Sequence, residues 1–107
     1  MDEIKLSPEE MEVQEALKDV IDPELMVNIV DLGLVYNIQK SNLTYQILIN
    51  LTLTSPGCPL GDVIIQDIEN TLLRHFSAYT TTVQLVWMPP WRIEMASDEG
   101  RLLLSEL

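Results

Sequence analysis

The chain holds one cysteine, and its setting, Thr54-Ser55-Pro56-Gly57-Cys58-Pro59, is the sequence's strongest candidate for chemistry. Two prolines bracket Gly57-Cys58, so the backbone is restricted on both sides and a short, stiff loop is predicted. Pro59 suits the first position of a following helix, because its missing N–H is not needed there. A thiol at a helix N-terminus meets unpaired N–H groups and the positive end of the helix dipole, which favour the thiolate that attacks electrophiles and binds soft metals. Asp62 in the first turn opposes this by its negative charge. The alternative is a small buried hydrophobe, the ordinary role of a lone cysteine. A cysteine–histidine pair requires His75, which lies about 22 Å along the helix at 1.5 Å per residue, too far for a shared proton. Phosphate-binding glycine loops and the paired CxxC of structural zinc are absent. A single thiolate cannot hold an iron–sulfur cluster alone.

Three carboxylates fall within ten residues of an apolar loop: Asp22, Glu24 and Asp31, around Leu25-Met26-Val27-Asn28-Ile29-Val30. Aspartates in such a loop either cap turns and helix ends or serve as ligands and proton carriers, and capping is the commoner role. Gly33, after Asp31-Leu32, supplies a backbone angle or a close approach that a side chain would forbid.

The elements that position these groups follow from hydrophobic spacing. Ser7-Pro8-Glu9-Glu10 reads as a capping box, opening a helix over about 8–21 with Val13, Ala16, Leu17, Val20 and Ile21 as its apolar stripe. Pro23 ends it. Leu34, Tyr36 and Ile38 alternate as a first strand, and Lys40-Ser41-Asn42 turns it into a second on which Leu43, Tyr45, Ile47, Ile49, Leu51 and Leu53 share a face, giving a hairpin over about 34–53. The cysteine loop spans 54–59. Leu60, Ile64, Ile68 and Leu72 recur every four residues in a helix over about 60–75, and a strand over about 80–87 follows, with Val83, Leu85 and Trp87 on one side. A helix between strands implies a crossover back onto the same sheet. Trp87-Met88-Pro89-Pro90-Trp91 ends the ladder; its indoles either seal one end of the core or form an aromatic rim for a partner. Ser97-Asp98-Glu99 starts a short helix over about 98–105. The expected architecture is two-layer α+β, a small mixed sheet built on an antiparallel hairpin with helices on one face.

With 107 residues, 47% of them hydrophobic, the chain makes one domain, 1–107, that should fold without a disulfide, metal or other cofactor. Six basic residues against seventeen acidic ones give a formal charge of −11, which repels phosphate backbones and anionic lipids, so neither nucleic acid nor membrane is an expected partner. The start Met1-Asp2-Glu3-Ile4-Lys5 lacks the pattern of a signal peptide, and a cytoplasmic location is expected.

Asp22-Pro23-Glu24, Asn28-Ile29-Val30-Asp31-Leu32-Gly33-Leu34-Val35-Tyr36, Thr54-Ser55-Pro56-Gly57-Cys58-Pro59 and Trp87-Met88-Pro89-Pro90-Trp91 stand in the order and spacing of one family. From about Val13 to Leu104 the chain resembles the SufT- and PaaD-like metal–sulfur cluster assembly factors, the MIP-eighteen family. The resemblance implies an iron–sulfur assembly type of α/β domain and a role in maturing iron–sulfur proteins. It makes Cys58 the functional thiol, a transient ligand of iron or of a cluster, with Asp22, Glu24 and Thr54 as neighbours. Trp87 and Trp91 are then expected to dock the assembly machinery or client apo-proteins, and a homodimer sharing Cys58 is one arrangement that supplies further ligands. Two alternatives stay open: a docking adaptor without metal chemistry, and a transferase using Cys58 as nucleophile. The sequence departs from the family at Met88, often acidic, and at Gly100, often alanine, where glycine is expected to weaken the last helix by roughly 1 kcal/mol.

Overall fold

In the first helix, α1 (Pro8–Leu17), the Ser7 hydroxyl accepts from the Glu10 amide while the Glu10 carboxylate accepts from the Ser7 amide, the reciprocal box that the sequence spells. The structure is a computed structural model that describes residues 6–54 and 60–105. The helix is shorter than its apolar stripe predicts. After Leu17 the amides of Lys18, Asp19 and Val20 bond three residues back, and the chain then leaves to pair Ile21 with Asn28 in an isolated antiparallel bridge. Val13, Ala16, Leu17 and Val20 are buried, whereas Ile21 is exposed.

The hairpin joins β1 (Val35–Ser41) to β2 (Gln46–Leu51), antiparallel, and β2 pairs in parallel with β3 (Thr80–Leu85). The order β1-β2-β3 makes a three-stranded mixed sheet. With its helices this is the α+β class that the sequence predicts. Two features of the hairpin differ from simple alternation. The register shifts between Val35 and Asn37, so Leu34, Val35 and Ile38 are all buried, as a bulge allows and strict period two does not. Tyr45 adopts φ 53°, a left-handed turn conformation, so β2 starts only at Gln46 and Leu43 is 94% exposed. The shared face therefore runs through Ile47, Ile49, Leu51 and Leu53, all buried.

The second helix, α2 (Gly61–His75), buries Ile64, Ile68 and Leu72. α1 packs on β1 and on α2, and α2 packs on β3, so both cover one face of the sheet. The third strand stops at Leu85, two residues before the predicted end, and a 3₁₀ turn (Ile93–Met95) leads to α3 (Asp98–Ser105).

Glycine at position 100 fits a constraint that helix propensity does not register. Gly100 is buried, and a Cβ there would lie 2.5 Å from the Asp31 carbonyl oxygen, which the Ser97 amide fixes in place at 2.7 Å. Gly100→Ala gains about 1 kcal/mol of propensity but forces one backbone from another. A net loss of roughly 1–2 kcal/mol is expected. Chemical denaturation checks the sign; a rise in midpoint would contradict the packing.

Candidate functional site

Backbone hydrogen bonds from three separate segments converge on the end of β2. The Ile29 amide donates to Val20, Leu34 to Ile29, and Thr52 to Leu34, each at 2.8–3.0 Å, so the Asp22 turn is tied stepwise to the chain entering Thr54. The Val86 amide donates to the Leu51 carbonyl, bringing the start of the tryptophan segment to the same point. Beyond it lies the predicted cysteine loop; residues 55–59, Cys58 among them, fall outside the described residues. Its flanks are well anchored. Leu53 is buried, Thr54 is half-buried, and α2 opens with Gly61, where a Cβ would come within 2.8 Å of Leu53 Cδ1. The helix N-cap is Leu60, which makes no side-chain capping bond, so α2 does not begin on Pro59 and its first-turn N–H groups take no side chain from the cap. Asp62 is in that first turn.

The candidate carboxylates divide by role. Asp22 is buried, and its Oδ1 accepts from the Glu24 and Leu25 amides at 2.8 and 3.1 Å, the turn-capping role. Asp31 accepts from Asn28 Nδ2 at 2.6 Å on one oxygen and from the Ser97 hydroxyl at 2.9 Å on the other, while its own amide donates to Asn28 Oδ1. That occupies Asp31 in joining the central loop to α3. Glu24 is exposed beside Asp22. His75 sits at the far end of α2, with Nε2 3.6 Å from Asp19 Oδ2, and takes no part near residue 54. Among the described residues no group of three or more His, Cys, Asp or Glu is arranged to hold a metal ion.

The two tryptophans have different surroundings. Trp91 packs against the core and donates from Nε1 to the Leu32 carbonyl at 2.6 Å. Trp87 is 41% exposed, and Met88 after it is 77% exposed. Between them the Tyr36 hydroxyl donates to the Pro89 carbonyl at 2.7 Å and also lies 3.3 Å from Met95 Sδ. The sequence does not spell out this clamp: there Tyr36 stands as a strand residue and as the end of the Asn28–Tyr36 motif. Deeper in, Asn50 Oδ1 and Thr52 Oγ1 are buried without hydrogen-bond partners among the described residues.

Burial pushes the Tyr36 hydroxyl above its ordinary pKa of 10.0. A pKa higher in the folded than in the unfolded chain means that the unfolded chain loses its proton first. The clamp's contribution is therefore complete at neutral pH and declines as pH rises above about 10. Tyr36→Phe is expected to cost about 1 kcal/mol at pH 7 and to flatten that alkaline limb, read from urea midpoints across pH 7–11. An unchanged midpoint with an unchanged limb would refute the clamp.

Comparison with known proteins follows the same ground. A family model described as "Iron-sulfur cluster assembly protein" matches residues 10–82. The Fe-S protein maturation auxiliary factor YitW of Bacillus subtilis (strain 168) is 40% identical over 92 residues, spanning 84% of this chain and 87% of that protein. The Fe-S protein maturation auxiliary factor SufT of Staphylococcus aureus (strain USA300) is 40% identical over 86 residues, 80% of this chain and 97% of that one. The crystal structure of a domain of unknown function from Bacillus anthracis superposes with a TM-score of 0.85 at 36% identity, covering 90% of this chain and 91% of that one.

Proposed function

The chain belongs to the iron–sulfur cluster assembly protein family, and from that premise we propose that it is an iron–sulfur protein maturation factor whose Cys58 thiolate transiently ligates iron or a cluster and passes it to a client. The metal–sulfur unit is cargo here, not a resident cofactor. The observation that carries the reading is that the chain's only thiol falls inside the matched residues 10–82, between Leu53 and Gly61, two flanks locked together by the core. A stiff pair of flanks supports a loop held out for exchange, since a ligand that must be surrendered gains from fixed presentation rather than from a closed cage.

Asp22, Glu24 and Thr54 are proposed as the polar surroundings of the thiol. Asp22 would act through the turn it caps, because its buried Oδ1 already serves two amides. Exposed Trp87 would meet the client or the assembly machinery, while Trp91, fixed to Leu32, would hold the segment in place. The location proposed is the cytoplasm; no helix of the described residues is long and apolar enough to cross a membrane.

Anaerobic addition of iron and sulfide, read by absorbance, tests the reading on wild type and Cys58→Ser. Cluster absorbance is expected in wild type and its loss in the variant. Equal absorbance in both would remove the thiol from the proposal and leave the docking adaptor, on which Trp87→Ala rather than Cys58→Ser would weaken partner binding.

A further inference from the structure

The outer edge of β3 carries none of the features by which proteins usually blunt a free strand. The Thr80 amide donates to Tyr45 and the Val86 amide to Leu51, so even-numbered residues of β3 direct their backbone groups to β2. Thr81, Val83 and Leu85 therefore turn their N–H and C=O groups outward, and no described residue pairs with that edge in a ladder. The strand reads Thr-Thr-Thr-Val-Gln-Leu, β-branched in four of six positions, without proline, lysine or a register shift.

Charge selects the occupant. From Phe76 to Trp91 the chain has no Asp, Glu, Lys or Arg, although the whole chain carries −11. The acidic α1 packs over β1, at the opposite edge of the sheet. Along β3 itself two copies therefore meet without opposed carboxylates, as they would not along α1; the exposed Asp62, Asp67 and Glu69 of α2, which packs on β3, sit in the helix layer and outside the ladder. We propose that a second copy of this chain pairs antiparallel with β3, Val83 opposite Val83 of the partner subunit, joining two three-stranded sheets into one of six strands. Only this register pairs all three outward residues, with Thr81 facing Leu85 of the partner subunit, and it sets Thr82 across from Gln84 of the partner subunit. The two Thr54 ends then lie at opposite ends of the joined sheet.

Sedimentation of the full chain from about 10 µM to 1 mM tests this, since a short edge contact gives a weak dimer. Thr82 and Gln84 are exposed, so changes there leave the fold intact. Wild type is expected to be dimeric at the upper concentrations. The double variant Thr82→Lys/Gln84→Lys, which sets lysine against lysine twice, is expected to be monomeric throughout. Thr82→Lys/Gln84→Glu, which sets lysine against glutamate twice, is expected to dimerise again. A monomeric wild type, a dimeric lysine–lysine variant or a monomeric lysine–glutamate variant would each overturn the pairing.

Discussion

Cys58→Ser is expected to abolish client maturation while leaving the domain folded. Serine is nearly isosteric with cysteine, so the protein should melt within a few degrees of wild type. The hydroxyl keeps its proton at neutral pH, whereas a thiol with an ordinary pKa of about 8.5 loses it readily, and more so near a helix N-terminus. A thiolate also gives iron a soft, anionic ligand, and the chain has one cysteine to supply it. Removing a group that merely supports a ligand typically costs about 10–100-fold in metal affinity. Losing the ligand itself should cost at least about a hundredfold. The measurement is the activity recovered by an apo-client, such as a hydratase with a [4Fe–4S] centre, incubated anaerobically with iron, sulfide and either protein. Recovery at wild-type rate with the serine variant would transfer the function from chemistry to docking.

Gly33→Ala carries the largest expected effect on stability. Gly33 has φ +79°, in the left-handed region, and a Cβ there would lie 2.8 Å from the Met95 carbonyl carbon and nearer still to its oxygen. The 3₁₀ turn holding Met95 cannot retreat freely, because Trp91 is bonded to Leu32 and Ser97 to Asp31 on either side of it. Backbone strain and overpacking together should cost roughly 2–4 kcal/mol, lowering the melting temperature by roughly 10–20 °C for a domain of this size. A calorimetric shift below about 3 °C would mean that the turn yields and that the close approach is not a constraint.

Wherever neighbours in sequence decide the outcome, the fold was legible. The Ser7–Glu10 box and the four-residue spacing of Ile64, Ile68 and Leu72 place α1's start and α2's buried face, because helix caps and stripes are local. Tertiary pairing decides the rest. Ile21 continues the stripe of α1, yet its backbone pairs with Asn28. Leu43 and Tyr45 continue the alternation of β2, yet the turn needs Tyr45 at positive φ. The site divides in the same way: Asp22's capping follows from the aspartate-proline turn, whereas Tyr36 finding Pro89 and Asp31 finding Ser97 join residues 53 and 66 positions apart, beyond the reach of any spacing rule.

The stitch between Asp31 and Ser97 also bears on how the molecule is made. Ribosomal synthesis delivers the cysteine segment well before the final helix emerges, so a nascent chain ending near residue 82 has no lid over Gly33 and no indole for the Leu32 carbonyl. Residues past the family-matched stretch 10–82 therefore close the central loop after the rest of the core has been made, once Trp91 reaches Leu32 and Ser97 reaches Asp31.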